Sequence, residues 1–280
     1  MTQDKPLISP KELLALQKSE KLLLIDARFG EDKFEQSHLK GALYVALNSQ
    51  MSHVKEDAAM GGRHPLPEPE AFAKTLGSLG IGSESHVVVY DDKNGAMSAA
   101  RFWWMLKALG HKRIQVLDGG MDAAIEAGFP LSSTIENLEE KEPYPGDAWL
   151  LPIAGLTEVE NAVKEKDHRL VDVREAERYL GQNEPIDLVA GHIPGAVNIP
   201  FSGNLDKDGF FLSPETLKKK YRQALGNTPT DQTIVHCGSG VTACHTLLAL
   251  SHAGMEIPQL YVGSWSEWSR NEKPIARENG

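Results

Sequence analysis

Thr233-Ile234-Val235-His236-Cys237-Gly238-Ser239-Gly240-Val241-Thr242-Ala243 decides how this chain is read. A short apolar run bounded by turn residues reads as a buried strand, here Thr233–His236. The stretch from Thr242 to Ala253 reads as the helix behind it. Cys237 therefore stands where a strand ends and a glycine-rich turn begins. The run has a counterpart: His86-Val87-Val88-Val89-Tyr90-Asp91 aligns with Gln232-Thr233-Ile234-Val235-His236-Cys237, an offset of 146 (237 − 91). Leu24-Ile25-Asp26-Ala27-Arg28 aligns with Leu170-Val171-Asp172-Val173-Arg174 at the same offset (172 − 26 = 146). His38-Leu39-Lys40-Gly41-Ala42 aligns with His192-Ile193-Pro194-Gly195-Ala196 at 154 (192 − 38), so the second half has gained residues around Glu177 to Val189. Met121 and Pro130 match Trp265 and Pro274.

A repeat of this length is a duplicated domain rather than a solenoid unit. The expected domains are residues 1–135 and 152–280, with a linker over 136–151. Charge runs and turn residues mark that junction, in Glu139-Glu140-Lys141-Glu142-Pro143 and Pro145-Gly146. Within each half, Val/Ile/Leu-rich runs alternate with helical stretches. The predicted strands are Leu22–Ile25, Val87–Tyr90, Ile114–Leu117, Leu170–Val173, Thr233–His236 and Gln259–Val262. The predicted helices include Ser98–Leu109 and Thr242–Ala253. Such alternation predicts an α/β fold: two tandem domains, each a parallel sheet flanked by helices. In such sheets ligands bind beyond the carboxyl ends of the strands, where the loops after Tyr90 and His236 lie.

A chain of 280 residues is long enough for two domains, each burying its own core. The formal net charge of −10 disfavours non-specific nucleic-acid binding. No run approaches the ~18 apolar residues a membrane helix needs. Met1-Thr2-Gln3-Asp4-Lys5-Pro6 lacks the basic flank and apolar run of a signal peptide, which points to the cytoplasm. Two cysteines, Cys237 and Cys244, do not make a secreted disulfide framework. They are too few for zinc without histidines at ligand spacing. No metal and no cofactor are expected.

The chemistry gathers on the Cys237 loop. Gly238 and Gly240 let the backbone curl with its N–H groups turned inward. The following helix adds the partial positive charge of its N-terminus. Together they favour a thiolate and would hold the added charge of a persulfide.

These motifs resemble the rhodanese family of tandem-domain sulfurtransferases along nearly the whole chain. His192-Ile193-Pro194-Gly195-Ala196 resembles one family signature and Gly263-Ser264-Trp265-Ser266-Glu267-Trp268 the other. The resemblance implies an active second domain and a first domain that has lost its cysteine; Asp91 stands where Cys237 stands. It implies sulfur transfer through Cys237, with Gly238, Ser239, Gly240, Val241 and Thr242 forming the substrate loop. Thiosulfate-using members carry basic residues in that loop. Cys-Gly-Ser-Gly-Val-Thr-Ala has none and resembles the 3-mercaptopyruvate subclass, whose substrate carboxylate calls for an arginine fork. Arg178 is the expected fork, with an ion pair to Glu175 or Glu184 as its competing role. Some relatives carry a second arginine soon after; here that stretch is Glu184-Pro185-Ile186-Asp187-Leu188.

The resemblance also pairs Ser239 with a histidine and an acid for proton transfer. His64 matches the histidine, against the plainer role of a loop histidine, and Arg63 beside it adds positive potential. Asn48 falls at the acid, so a full triad is not expected. Cys244 is expected in the core, turned away from the loop by its helix, and His236 is expected to be structural. A cysteine phosphatase is the rival enzyme class, but it needs arginine at the sixth position after the cysteine, and that residue is Ala243. A thiosulfate sulfurtransferase and a non-enzymatic sulfur-binding module also compete. The expected partners are a small sulfur donor and a small thiol, cyanide or thioredoxin-like acceptor, with no nucleic acid and no membrane.

Overall fold

Ile114–Leu117 and Thr233–His236 are strands over the residues their apolar runs predict, in a computed structural model that describes residues 5–19, 22–136, 141–165 and 168–278. Residues 137–140 of the expected linker and residues 1–4 of the N-terminal stretch lie outside the described residues. The chain forms two compact units. Unit 1 comprises Met1–His53, Pro67–Leu150 and Lys207–Phe211; unit 2 comprises Val54–Leu66, Leu151–Asp206 and Leu212–Gly280.

In unit 1 the strands are β1 (Leu7–Ile8), β2 (Leu22–Asp26), β3 (His38–Leu39), β4 (Ala42–Tyr44), β5 (His86–Tyr90), β6 (Ile114–Leu117) and β7 (Leu131–Ser132). Its helices are α1 (Pro10–Ser19), α2 (Glu31–Gln36), α3 (Leu47–Gln50), α4 (Pro69–Ser78), α5 (Ser98–Ala108) and α6 (Gly120–Glu126). In unit 2 the strands are β8 (Ile153–Ala154), β9 (Arg169–Asp172), β10 (Val197–Asn198), β11 (Thr233–His236) and β12 (Gln259–Tyr261). Its helices are α7 (Leu156–Glu165), α8 (Ala176–Tyr179), α9 (Pro214–Leu225), α10 (Thr242–His252) and α11 (Ser264–Trp268).

Both main sheets are parallel and share one topology. Unit 1 runs β1-β6-β5-β2-β4 and unit 2 runs β8-β12-β11-β9-β10. The registers also repeat: Tyr90 pairs with Asp26, and His236 with Asp172. β5 and β11 are the central strands. All four residues of β11 are buried, as befits a strand covered on both faces. The two- and three-residue strands at the sheet edges are too short to leave a periodic signal, so only the inner runs are legible in the sequence.

The repeated motifs are structural in both units. Asp26 and Asp172 each accept the backbone N–H and side-chain N–H groups of the arginine two residues on, Arg28 and Arg174. Arg174 also lies over the Trp265 ring at 4.8 Å. Burial would raise the Asp172 pKa, but Arg174 and His236 outweigh it and hold it below the ordinary carboxylate range. The signature histidines pack as aromatics. His38 stacks on Phe34 with centroids 4.0 Å apart, and His192 stacks on Tyr179 at 3.7 Å. Each Nδ1 lies 2.7 Å from a backbone carbonyl, that of Phe34 and that of Tyr179.

Candidate active site

Cys237 follows the central strand β11 at its carboxyl end, and its residue is 1% exposed. Gly240 has φ +73°, and a Cβ there would lie 2.5 Å from the carbonyl oxygen of Val262, so both conformation and space require glycine. The signature Gly263–Trp268 clamps the loop. The Cys237 N–H donates to Ser264 Oγ at 3.1 Å, Trp265 N–H to the Cys237 carbonyl at 3.0 Å, and Ser266 N–H to the Gly238 carbonyl at 2.9 Å. Thr242 opens α10, so the helix N-terminus meets the loop.

Asp91 shows what such a loop holds. At the matching place in unit 1, its carboxylate accepts the N–H groups of Lys93, Gly95, Met97 and Ala99 at 2.8–3.1 Å. Burial pushes its pKa up, and the four N–H bonds oppose that shift. The unit 1 loop is thus an anion nest filled by its own side chain. In unit 2 the same position carries a thiol.

Two guanidiniums face the Cys237 loop. A Cβ on Gly238 would lie 3.2 Å from Arg63 Nη2, 3.4 Å from Arg178 Nη2 and 3.5 Å from Arg178 Nη1. Arg178 also donates to Glu184, from Nε at 3.1 Å and from Nη2 at 2.8 Å, so it faces the loop and pairs with an acid at once. Arg63 and Arg178 both bond the buried carboxylate of Asp187, as does Arg270 at 3.1 Å. Nothing in the sequence singled out Asp187 or Arg270; both lie in polar stretches without a motif of their own.

Ser239, 6% exposed, has its Oγ 2.8 Å from His64 Nδ1. Asn48 is exposed on α3. His236 is buried, and burial lowers its pKa, which keeps the imidazole neutral beside the loop. Cys244 lies in the core as expected, but its expected orientation away from the loop needs correction. It is buried on α10, but its Sγ turns back to the Gly240 carbonyl at 3.3 Å. Helical side chains lean toward the N-terminus, so the i−4 carbonyl is within its reach. Two surface recesses of unit 2 lie elsewhere, one lined by His168, Arg169 and Thr228, the other by Tyr179, His192 and Asn198.

The sequence matches the rhodanese-like domain family over residues 9–127 and again over 156–271, and the chain belongs to that family. It is 39% identical over 283 residues to a probable 3-mercaptopyruvate sulfurtransferase of Pseudomonas aeruginosa, covering 96% of this chain and 97% of that one. It is 35% identical to a thiosulfate sulfurtransferase of Mus musculus, covering 89% and 83%. Among solved structures, the 3-mercaptopyruvate sulfurtransferase from Leishmania major superimposes with a TM-score of 0.81 at 28% identity, covering 95% of this chain and 74% of that one.

Proposed function

We propose that this protein is a sulfurtransferase that takes sulfur from 3-mercaptopyruvate onto Cys237 and passes it to a thiol or cyanide. The observation that carries the reading is the neutral Gly238-Ser239-Gly240 loop beside Cys237 with the Arg178 guanidinium over Gly238. The guanidinium suits a carboxylate; the loop's own residues carry no cation, and the second guanidinium over Gly238, that of Arg63, is paired with the Asp187 carboxylate. The similarity to proteins named 3-mercaptopyruvate sulfurtransferase supports the same donor.

In the first half-reaction the Cys237 thiolate attacks the donor sulfur. An S–S bond forms, the C–S bond breaks, and the electron pair leaves as the enolate of pyruvate. Ser239, bonded to His64, is placed to deliver the proton that gives pyruvate. In the second, a thiolate or cyanide attacks the outer sulfur and frees Cys237. A thiol on a small molecule or on a thioredoxin-like protein fits that step. This is covalent catalysis with ping-pong kinetics. A reducing, cytoplasmic setting suits the two free thiols.

Side-by-side kcat/KM values for 3-mercaptopyruvate and thiosulfate test the donor. The expected result is a clear preference for 3-mercaptopyruvate with stoichiometric pyruvate. A higher value for thiosulfate would overturn the donor and favour the reading carried by relatives named thiosulfate sulfurtransferase.

A further inference from the structure

Lys218-Lys219-Lys220 is a run of lysines on α9. The buried stripe of that helix is Leu217, Tyr221 and Leu225, spaced by four. Lys220 stands three residues after Leu217 and falls beside this stripe, whereas Lys219 is exposed. Helical spacing thus turns one amine of the run toward the core. We propose that Lys220 is an acylation site: its amine is held between a buried amide and an exposed glycine, and it takes the acyl group of an activated acyl compound such as an acyl phosphate. Neither the sulfur donor nor Cys237 enters into this chemistry.

The amide is that of Asn204, which ends the helical turn Phe201–Asn204 and is fully buried. Lys220 Nζ donates to Asn204 Oδ1 at 2.9 Å, and the Tyr221 hydroxyl donates to the same oxygen at 2.6 Å. Helix α10 holds the other end of the amide. Asn204 Nδ2 donates to Thr246 Oγ1 at 3.4 Å and to His245 Nδ1 at 3.5 Å. The amide is therefore fixed with its oxygen toward the amine. The flank of Nζ at Gly203 is open. A Cβ there would lie 3.0 Å from Nζ, and Gly203 is itself exposed, so the missing side chain leaves the amine a path to solvent.

A lysine drawn into the protein ordinarily pairs with a carboxylate. Among the described residues no carboxylate forms an ion pair with Lys220; its Nζ meets the neutral Asn204 amide and the Tyr221 ring, 5.3 Å from the centroid. The titratable groups around it are Lys218, Lys219 and Tyr221 on its own helix and His245 on α10. Burial pushes the Tyr221 hydroxyl up to about 12, so it stays neutral, and His245 Nδ1 accepts from Asn204. With no acid to oppose it, burial pushes the Lys220 pKa down to about 8. A share of the amine is then free of its proton near neutral pH, as in lysines that act as nucleophiles. The nitrogen lone pair attacks the acyl carbon, the N–C bond forms, the C–O bond to phosphate breaks, and the amine proton leaves with the phosphate. The charge of Lys220 is lost, and the new amide N–H can still donate to Asn204.

Acetyl phosphate is the probe, added to the whole native protein, with acetylation at each lysine followed by peptide mass. Near neutral pH, Lys220 should acetylate at least about 10-fold faster than the exposed Lys219, as expected when a pKa falls from the ordinary lysine value of about 10.4 to near 8 and lower basicity takes back part of the gain. The Lys220 rate should level off above about pH 8. In urea, Lys218, Lys219 and Lys220 should react alike, because the advantage belongs to the fold. Gly203→Val places a branched side chain over Nζ and should slow Lys220 several-fold while leaving Lys219 unchanged. Equal native rates at Lys219 and Lys220 would overturn the proposal. So would a Lys220 rate that keeps climbing to the ordinary lysine pKa of about 10.4, or a Gly203→Val protein in which Lys220 is as reactive as before.

Discussion

Cys237 and Cys244 sit seven positions apart, and the bond from Cys244 Sγ to the Gly240 carbonyl ties the second thiol to the floor of the loop. A serine at 244 can make that same bond. Cys237→Ser should therefore abolish pyruvate release and the mass gain of one sulfur atom after donor treatment, while Cys244→Ser keeps most activity. Equal loss in a folded Cys244→Ser protein would point to a dithiol mechanism instead. The His64–Ser239 contact carries a different expectation. A proton is needed when the pyruvate enolate leaves and not when cyanide attacks the persulfide. His64→Asn should slow the first half-reaction by about 100-fold, typical of general acid–base catalysis. Discharge of a preformed persulfide to cyanide should change little. Stopped-flow of the two half-reactions separates them, and equal slowing of both would remove His64 from proton transfer.

At the scale of elements, the strand–loop–helix unit occurs twice with opposite contents. In β11–α10 the loop is closed by Gly240 and clamped by α11. Gly240→Ala combines a left-handed φ with a 2.5 Å approach to the Val262 carbonyl. It should cost about 1–3 kcal/mol of stability and most of the activity, because the loop must move to admit the methyl group. A variant with wild-type kcat/KM would show that the loop tolerates that shift. In β5–α5 the Asp91 carboxylate satisfies four N–H groups. Asp91→Ala leaves those donors, of which the Gly95 and Ala99 N–H groups are buried, without their acceptor and should destabilise the protein by about 3 kcal/mol. It should spare sulfur transfer at Cys237, and urea melts beside kinetic assays check both halves of that statement.

For the whole molecule, three buried histidines set the acid limit of stability. Burial lowers the pKa of His111, His192 and His236 in the fold. Above the ordinary histidine pKa of about 6.5, these side chains are neutral in the folded and unfolded states alike. Below it the unfolded chain takes up protons that the folded one refuses, so stability falls from that pH down to the lowered folded values. Asp172 adds a later loss. Its folded pKa is depressed, so its contribution is present above the unfolded carboxylate value of about 3.9 and disappears as pH falls through the lower folded value. Urea midpoints should therefore begin to drop near the ordinary histidine pKa of about 6.5, before carboxylates titrate. A midpoint that stays flat from about pH 7.5 to about pH 5 would contradict this.

The sequence by itself determined the duplication, the parallel α/β class, the inner strands and the strand-to-helix position of Cys237. Each rests on local rules: apolar runs, turn residues and a fixed offset between halves. The sequence also showed that Asp91 replaces the thiol in unit 1. It did not show that Asp91 fills its own nest, because those four bonds depend on the loop's curl. Only the tertiary structure decided that Ser264 and Ser266 clamp the Cys237 loop, and that Asp187 gathers Arg63, Arg178 and Arg270. It also decided that Cys244 leans back on Gly240. Arg63 and Arg178 lie 115 positions apart (178 − 63), and no periodicity links them. They meet because the backbone of residues 59–63 is hydrogen-bonded to the segment after β12, and β12 is paired beside β11 in the sheet. Side-chain neighbours at the carboxyl edge of a parallel sheet are set by strand order, and strand order is a property of the folded chain.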